Sequence, residues 1–386
     1  MREVRVLHLA RVINRYDFID TIIRYLPLER FHLEAATFEK TSNIHSPTYE
    51  SIGIPHHVIP VPHMRAYLAY LKAAYRLAEL LRTRQIHLLH THHFWEGVVG
   101  AMAKKLYPRF HLIIHRHYTE DITRLKGWRR KILLSLERWS YRQADVLVVP
   151  SRTIREFVQE LHPPDALPSI YEIPYGFEFE ALKYHPLFPE ERQSIRAQYG
   201  VEEGTVIIAN VGSHRPLKGQ RELISAFKQL YAEYGDKVQL WLIGEGPDTR
   251  KLQEIAQGLD AGIRFLGWRS GEEVRQLMGA ADIIAHPSYS EAFPQVMVEA
   301  LALERAVVIT PVSGAKEYLK HGETAWLVQI GDEKSLYEGL RRLVGEPSLR
   351  EALGKAGRQM VTAKFHYSVI NRAYEKLYTQ LCSPSA

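Results

Sequence analysis

The chain has 386 residues and a formal net charge of +6, with 46% apolar and 24% charged residues, so it can bury two or three separate cores and is no disordered or fibrous chain. Its single cysteine, Cys382, excludes a disulfide framework and any cysteine-based metal site. No apolar run reaches the roughly eighteen residues of a membrane span, and MREVRVLHLARVI is too short and too interrupted for a signal peptide, which makes the cytoplasm the expected compartment.

In chain order, strand-like apolar runs at 4–9, 33–37, 57–61, 86–90, 111–115 and 146–150 alternate with helical patterns such as 66–84 and 128–144. Breakers then accumulate from Pro163 to Pro189, and the connection between domains is placed near 178–190. Six further runs follow at 206–211, 239–243, 263–265, 283–285, 306–309 and 325–328. A last helical pattern covers 367–381. This alternation predicts α/β architecture with two doubly wound, Rossmann-like parallel sheets. Ligands of such sheets bind beyond the carboxyl ends of the strands, so a site in the cleft between two such domains is expected.

The residues that invite chemistry sit at those strand ends. GSHRPLKGQ (212–220) opens with Gly212 and Ser213 and carries Arg215 and Lys218 ahead of a helix, an arrangement suited to a diphosphate; ordinary surface cations are the alternative. Gly244 lies in IGEGP, where its lack of a side chain permits close approach, and Trp268 in FLGWRS either frames a flat base or simply packs. In HPSYSEAFPQVMVEA (286–300), Glu291 and Glu299 flank a helix start at Pro294, with Ala292, Phe293, Gln295, Val296 and Met297 between them. Carboxylates on both sides of an anion-binding helix start suit a phosphate flanked by hydroxyl-bearing rings, as in a nucleoside diphosphate sugar.

The first half carries the whole positive excess; the remainder is neutral. HTHH (90–93) and HRH (115–117) raise the question of zinc, but no Asp stands beside them and no HExxH or HxHxDH spacing occurs, so strand-capping histidines are expected and no metal. His117 is instead a polar contact for a substrate. Tyr67, Tyr70 and Tyr75 interleave with Lys72, Arg76 and Arg82, and Trp128, Ile132, Leu136 and Trp139 share a helix with Arg129, Arg130 and Lys131. Such helices either lie on an anionic bilayer or pack one face on a core. The modest charge and the lack of a recognised module argue against nucleic acid.

Taken together and in order, these segments resemble the family 4 retaining glycosyltransferases of GT-B fold. SEAFPQVMVEA is similar to the family's E-x7-E element, VGSHRPLKG to its donor-phosphate loop, and ADIIAHPS to the strand before the E-x7-E element. IPYGFE (173–178) resembles the entry to the second domain, VSGAKEYLKHGETAWLV (312–328) the segment closing the donor pocket, and FHYSVINRAYEKLY (365–378) the final helix crossing back to the first domain. The resemblance implies an acceptor-side domain over 1–180 with 367–386, and a nucleotide-sugar domain over 181–366. It implies transfer of a sugar with retained configuration to a glycan, lipid-linked or small acceptor, with no cofactor beyond the nucleotide-sugar substrate. Lys218, helped by Arg215, would neutralise the diphosphate, Glu291 would hold the sugar and Glu299 the ribose. Amides from Phe293 to Met297 would line sugar and phosphates, and His117 would reach the donor sugar. The protein would be cytoplasmic, with peripheral attachment to the inner face of an anionic membrane. Three departures stand out: Ser213 where the family carries Arg, the glycine-free ARVINRYDF (10–18), and Ala-Phe-Pro after the first glutamate. They sustain a rival reading, a silent nucleotide-sugar-binding protein of the same fold; a histidine-metal phosphoesterase is the other.

Overall fold

A computed structural model of the chain describes residues 3–13, 18–39, 49–61, 67–117, 125–180 and 184–383. Part of the expected loop 10–18 (residues 14–17) and part of the expected connection (181–183) lie outside the described residues, as does the side chain of Tyr67. Two compact units emerge: Met1–Glu178 together with Phe365–Ala386, and Phe179–Lys364.

The first unit is built on a seven-stranded sheet of β1 (Val4–Ala10), β2 (Phe31–Thr37), β3 (His56–Val58), β4 (Leu88–His92), β5 (His111–His115), β6 (Val146–Val149) and β7 (Ser169–Glu172). The order is β3-β2-β1-β4-β5-β6-β7, with every pair parallel. The inner strands are buried over most of their length because helices cover both faces. The seventh strand was not foreseen. SIYE is short, half-exposed and flanked by Pro168 and Pro174, so it reads as connection until its neighbour β6 pairs with it.

Helix Tyr367–Cys382 belongs to this unit although more than 180 residues separate it from Glu178. Ile370, Tyr374, Leu377 and Tyr378 form one helical face and join Val6, Leu33, Leu88, Ile113 and Val148 in the core. Its entry is fastened by backbone bonds from Phe177 N–H to Phe365 O (2.8 Å) and from Tyr367 N–H to Phe177 O (2.9 Å).

The second unit carries β8 (Val206–Val211), β9 (Val238–Ile243), β10 (Ile263–Gly267), β11 (Ile283–His286), β12 (Ala306–Ile309) and β13 (Trp326–Leu327), ordered β10-β9-β8-β11-β12-β13 and all parallel. Ile208, Leu223, Phe227, Leu240, Leu242, Ile283 and Leu340 lie at its core. In both sheets the chain reverses direction of growth between the first strand and the fourth, and side chains at the carboxyl ends there open onto a crevice. Among the described residues no helix is long and apolar enough to cross a membrane.

Candidate active site

The crevice of the second sheet lies between β8 and β11, which pair through Ile208 and Ile283. The loops leaving these two strands are GSHRPLKG and PSYSEAFP, so the sheet order brings together two segments more than seventy residues apart. They are joined directly by the Tyr289 N–H bonding Leu217 O at 2.8 Å. Gly219 makes this approach possible. It has φ +69°, and a Cβ there would stand 2.1 Å from Pro287 O.

Across this junction Lys218 Nζ meets Glu291 Oε1 at 2.5 Å, and His286 Nε2 reaches the same oxygen at 2.9 Å. His286 ends β11, and Ser288 Oγ lies 3.1 Å from its Nε2. Burial pushes the Glu291 carboxyl up, but the His286 hydrogen bond and charge, together with Lys218, outweigh it and hold the group at about 2. Glu291 is therefore an anion at any ordinary pH. Sequence reasoning singled out Lys218 and Glu291 but missed His286; its signal was a histidine closing an apolar strand five residues before the glutamate.

The rest of the 212–219 loop is zipped to the next two strand ends. Gly212 N–H bonds Ile243 O (3.0 Å), His214 N–H bonds Glu245 O (3.1 Å) and Gly244 N–H bonds Gly267 O (2.8 Å). Gly244 has φ +126°, and a Cβ would lie 2.2 Å from Gly212 O. Ser213 and Arg215 are exposed, and among the described residues Arg215 has no carboxylate partner. Trp268 is 67% exposed, its amide bonded to Glu245 Oε1 at 3.2 Å, so it is no packing residue.

Helix Gln295–Ala302 begins directly after Pro294, whose ψ of 88° lies outside the helix. The amides of Gln295 and Val296 fall in the first turn, where no intrahelical carbonyl meets them. The Met297 amide does not join them, a correction to the expectation: it bonds Pro294 O at 3.0 Å, closing a tight first turn. Ala292 and Phe293 precede the helix, and Ser313 Oγ donates to Ala292 O. Glu299, one turn into the helix, pairs with the Tyr184 hydroxyl, and burial raises its carboxyl above the usual range while Tyr184 lowers it. Tyr184 is a second residue that sequence reasoning missed, lying in the proline-rich stretch read as connection.

In the first unit the histidines do not cap strands separately. His8, His90, His92, His115 and His117 gather in one fully buried cluster with Phe18, Tyr175, Tyr374 and Tyr378. His117, expected to contact a substrate, has a buried side chain, with Nδ1 3.0 Å from the Tyr175 hydroxyl and Nε2 3.4 Å from His92 Nδ1.

Residues 21–168 match the glycosyl transferase 4-like domain family, and residues 191–360 match the family of glycosyl transferases group 1. The N-acetyl-alpha-D-glucosaminyl L-malate synthase of Bacillus anthracis is 25% identical over 309 residues, covering 80% of this chain and 78% of that protein. Among solved structures, a sucrose-phosphate synthase from Thermosynechococcus elongatus superposes with a TM-score of 0.82 at 20% identity, covering 98% of this chain and 99% of that one. The HepE protein of Anabaena, solved in complex with UDP-glucose, does so with a TM-score of 0.78 at 20% identity, over 98% of this chain and 100% of that one. The two domain matches, end to end on two parallel-sheet units, make this chain a GT-B glycosyltransferase of the GT4 type.

Proposed function

We propose that the protein transfers a sugar from a nucleoside diphosphate donor to an acceptor with retention of anomeric configuration, using no cofactor and no catalytic metal. The observation that carries this reading is the Lys218–Glu291 pair across the β8–β11 crevice. Departure of a nucleoside diphosphate builds negative charge on a phosphate oxygen, and a preplaced cation stabilises that charge without reorganising. Lys218 supplies it, with exposed Arg215 three residues earlier able to turn onto the same phosphates in place of the arginine that Ser213 replaces. Glu291, held ionised, accepts hydrogen bonds from sugar hydroxyls. Gln295 and Val296 amides meet phosphate oxygens, Glu299 the ribose, and Trp268 the base. Among the described residues of the site none is poised as a proton-transfer base, so the leaving phosphate oxygen takes the acceptor's proton.

Turnover of UDP-, GDP- and ADP-sugars by the full chain, with acceptor extracts, tests the reading. Lys218→Ala should lower turnover about 100- to 1,000-fold, as loss of one oxyanion donor does elsewhere. Donor binding without turnover would favour a silent nucleotide-sugar-binding protein instead. Turnover untouched by both Lys218→Ala and Glu291→Ala would sink the site assignment.

The acceptor is proposed to be presented at an anionic membrane. Helix Tyr67–Thr83 exposes Leu68 (72%), Leu71 (53%) and Tyr75 (66%) beside Lys72 and Arg76. Helix Gly127–Tyr141 exposes Trp128 (67%) and Ile132 beside Arg129 and Lys131. Tyr70 plays no part, being buried and stacked on Trp95 at 4.6 Å. Apolar and cationic side chains on one exposed face suit an anionic headgroup layer. Co-sedimentation with anionic vesicles at low salt, lost at high salt, is expected; no binding at low salt removes the idea.

A further inference from the structure

The histidine cluster of the first unit takes no part in the proposed transfer, yet it is the largest group of buried titratable side chains outside that site. Its members lie on three adjacent strands. Parallel register sets His8 beside His90 and His92 beside His115, while two-residue spacing puts His90 with His92 on one face. His117 follows β5 directly.

Most of these rings are joined into a chain. The Tyr175 hydroxyl meets His117 Nδ1 (3.0 Å), His117 Nε2 faces His92 Nδ1 (3.4 Å) and His92 Nε2 meets His8 Nδ1 (3.1 Å). The His117–His92 link is the long one. His115 stands outside the chain: its ring is 3.8 Å from that of His117, it is 0% exposed, and among the described residues neither nitrogen has a hydrogen-bond partner. A buried imidazole with both nitrogens idle forfeits the solvation of two polar atoms, and in native proteins an unrecorded water or ion usually explains such a group.

The geometry selects an ion. With zinc–nitrogen bonds of about 2.0–2.1 Å, two ligands of a tetrahedral centre stand about 3.3–3.4 Å apart. That is the separation of His92 Nδ1 and His117 Nε2, and His92, His115 and His117 each offer a ring nitrogen within 4.8 Å of the others'. We propose that His92, His115 and His117 form a three-histidine site for a late first-row divalent cation, zinc above all. The second shell is already in place. The far nitrogen of His92 lies 3.1 Å from His8 Nδ1 and that of His117 3.0 Å from the Tyr175 hydroxyl; with a cation bound, each would donate there and turn the lone pair of its inward nitrogen to the metal. With no carboxylate ligand, the cation is of the kind that imidazole favours, not magnesium or calcium. The fourth position is left for water.

The test uses tag-free full-length protein. Grown with zinc, it should retain about one equivalent after gel filtration, and the cobalt-loaded form should show the visible bands of a tetrahedral nitrogen site. His115→Phe should lose both, whereas His321→Ala, at an exposed histidine, should keep them. Should His115→Phe not fold, thermal unfolding of chelator-treated wild type decides: zinc, but not magnesium, must raise the midpoint. Absence of a zinc-specific shift and of cobalt bands, or bands that survive His115→Phe, overturns the proposal. Because these readouts involve no nucleotide sugar, they are independent of whether the transfer reading stands.

Discussion

Replacing Glu291 by Gln separates the two consequences of its environment. In the folded protein the carboxyl ionises at about 2 against an ordinary value of 4.5. A difference of that size corresponds to about 3 kcal/mol at roughly 1.4 kcal/mol per unit. Solvent screening trims this little, as the side chain is 13% exposed. Because the folded value is the lower one, the contribution is fully present above about pH 4.5. It fades as the pH falls from there toward 2, where the folded carboxylate at last takes up its proton. Gln keeps the shape but removes the charge, leaving Lys218 without its counter-ion in a half-buried position. Relief of the carboxylate's own desolvation offsets part of the loss. A net destabilisation of about 1–3 kcal/mol at pH 7 is therefore expected for Glu291→Gln. Urea unfolding of both proteins from pH 7 to pH 3 reads it directly. The gap should narrow steadily as the pH falls from 4.5 to 3, the remainder of the carboxylate's contribution being lost only toward pH 2. A gap that stays constant across that range would refute the electrostatic account and leave only a packing effect.

Gly219→Ala should uncouple the phosphate loop from the β11 loop, because φ of +69° and a Cβ contact of 2.1 Å to Pro287 O cannot both be kept. The left-handed backbone alone costs about 1–2 kcal/mol with a side chain. Nucleotide affinity by calorimetry should drop further than thermal stability does, and an unchanged affinity would show that the two loops need not touch. Trp268→Ala should leave stability within about 0.5 kcal/mol, as the ring is 67% exposed. It should weaken nucleoside diphosphate binding about 2- to 12-fold, the worth of a stacked aromatic pair. Equal affinity of the two proteins would remove Trp268 from the base site.

What was legible in the sequence divides along a physical line. Buried parallel strands are continuous apolar runs, so all six strands of the second sheet could be read, and β8 and β11 with them, from runs such as VIIANV and IIAH. The edge strand β7 could not, because an edge needs no continuous apolar run and SIYE has none. Lys218 and Glu291 were legible as residue types at strand ends. Their ion pair was not, since it depends on β8 and β11 being neighbours, a property of strand order that no local spacing encodes. The histidines show the same division. HTHH and HRH each looked like strand caps, and the lack of Asp nearby argued against a metal. Yet a two-residue spacing within a strand puts side chains on one face. Once β1, β4 and β5 are adjacent, His8, His90, His92 and His115 must converge whatever lies beside them in sequence. Carboxylates are needed to balance a cation in a solvated loop motif. In a buried face of parallel strands, burial itself holds the rings neutral, which lets five imidazoles share one interior without mutual charge repulsion.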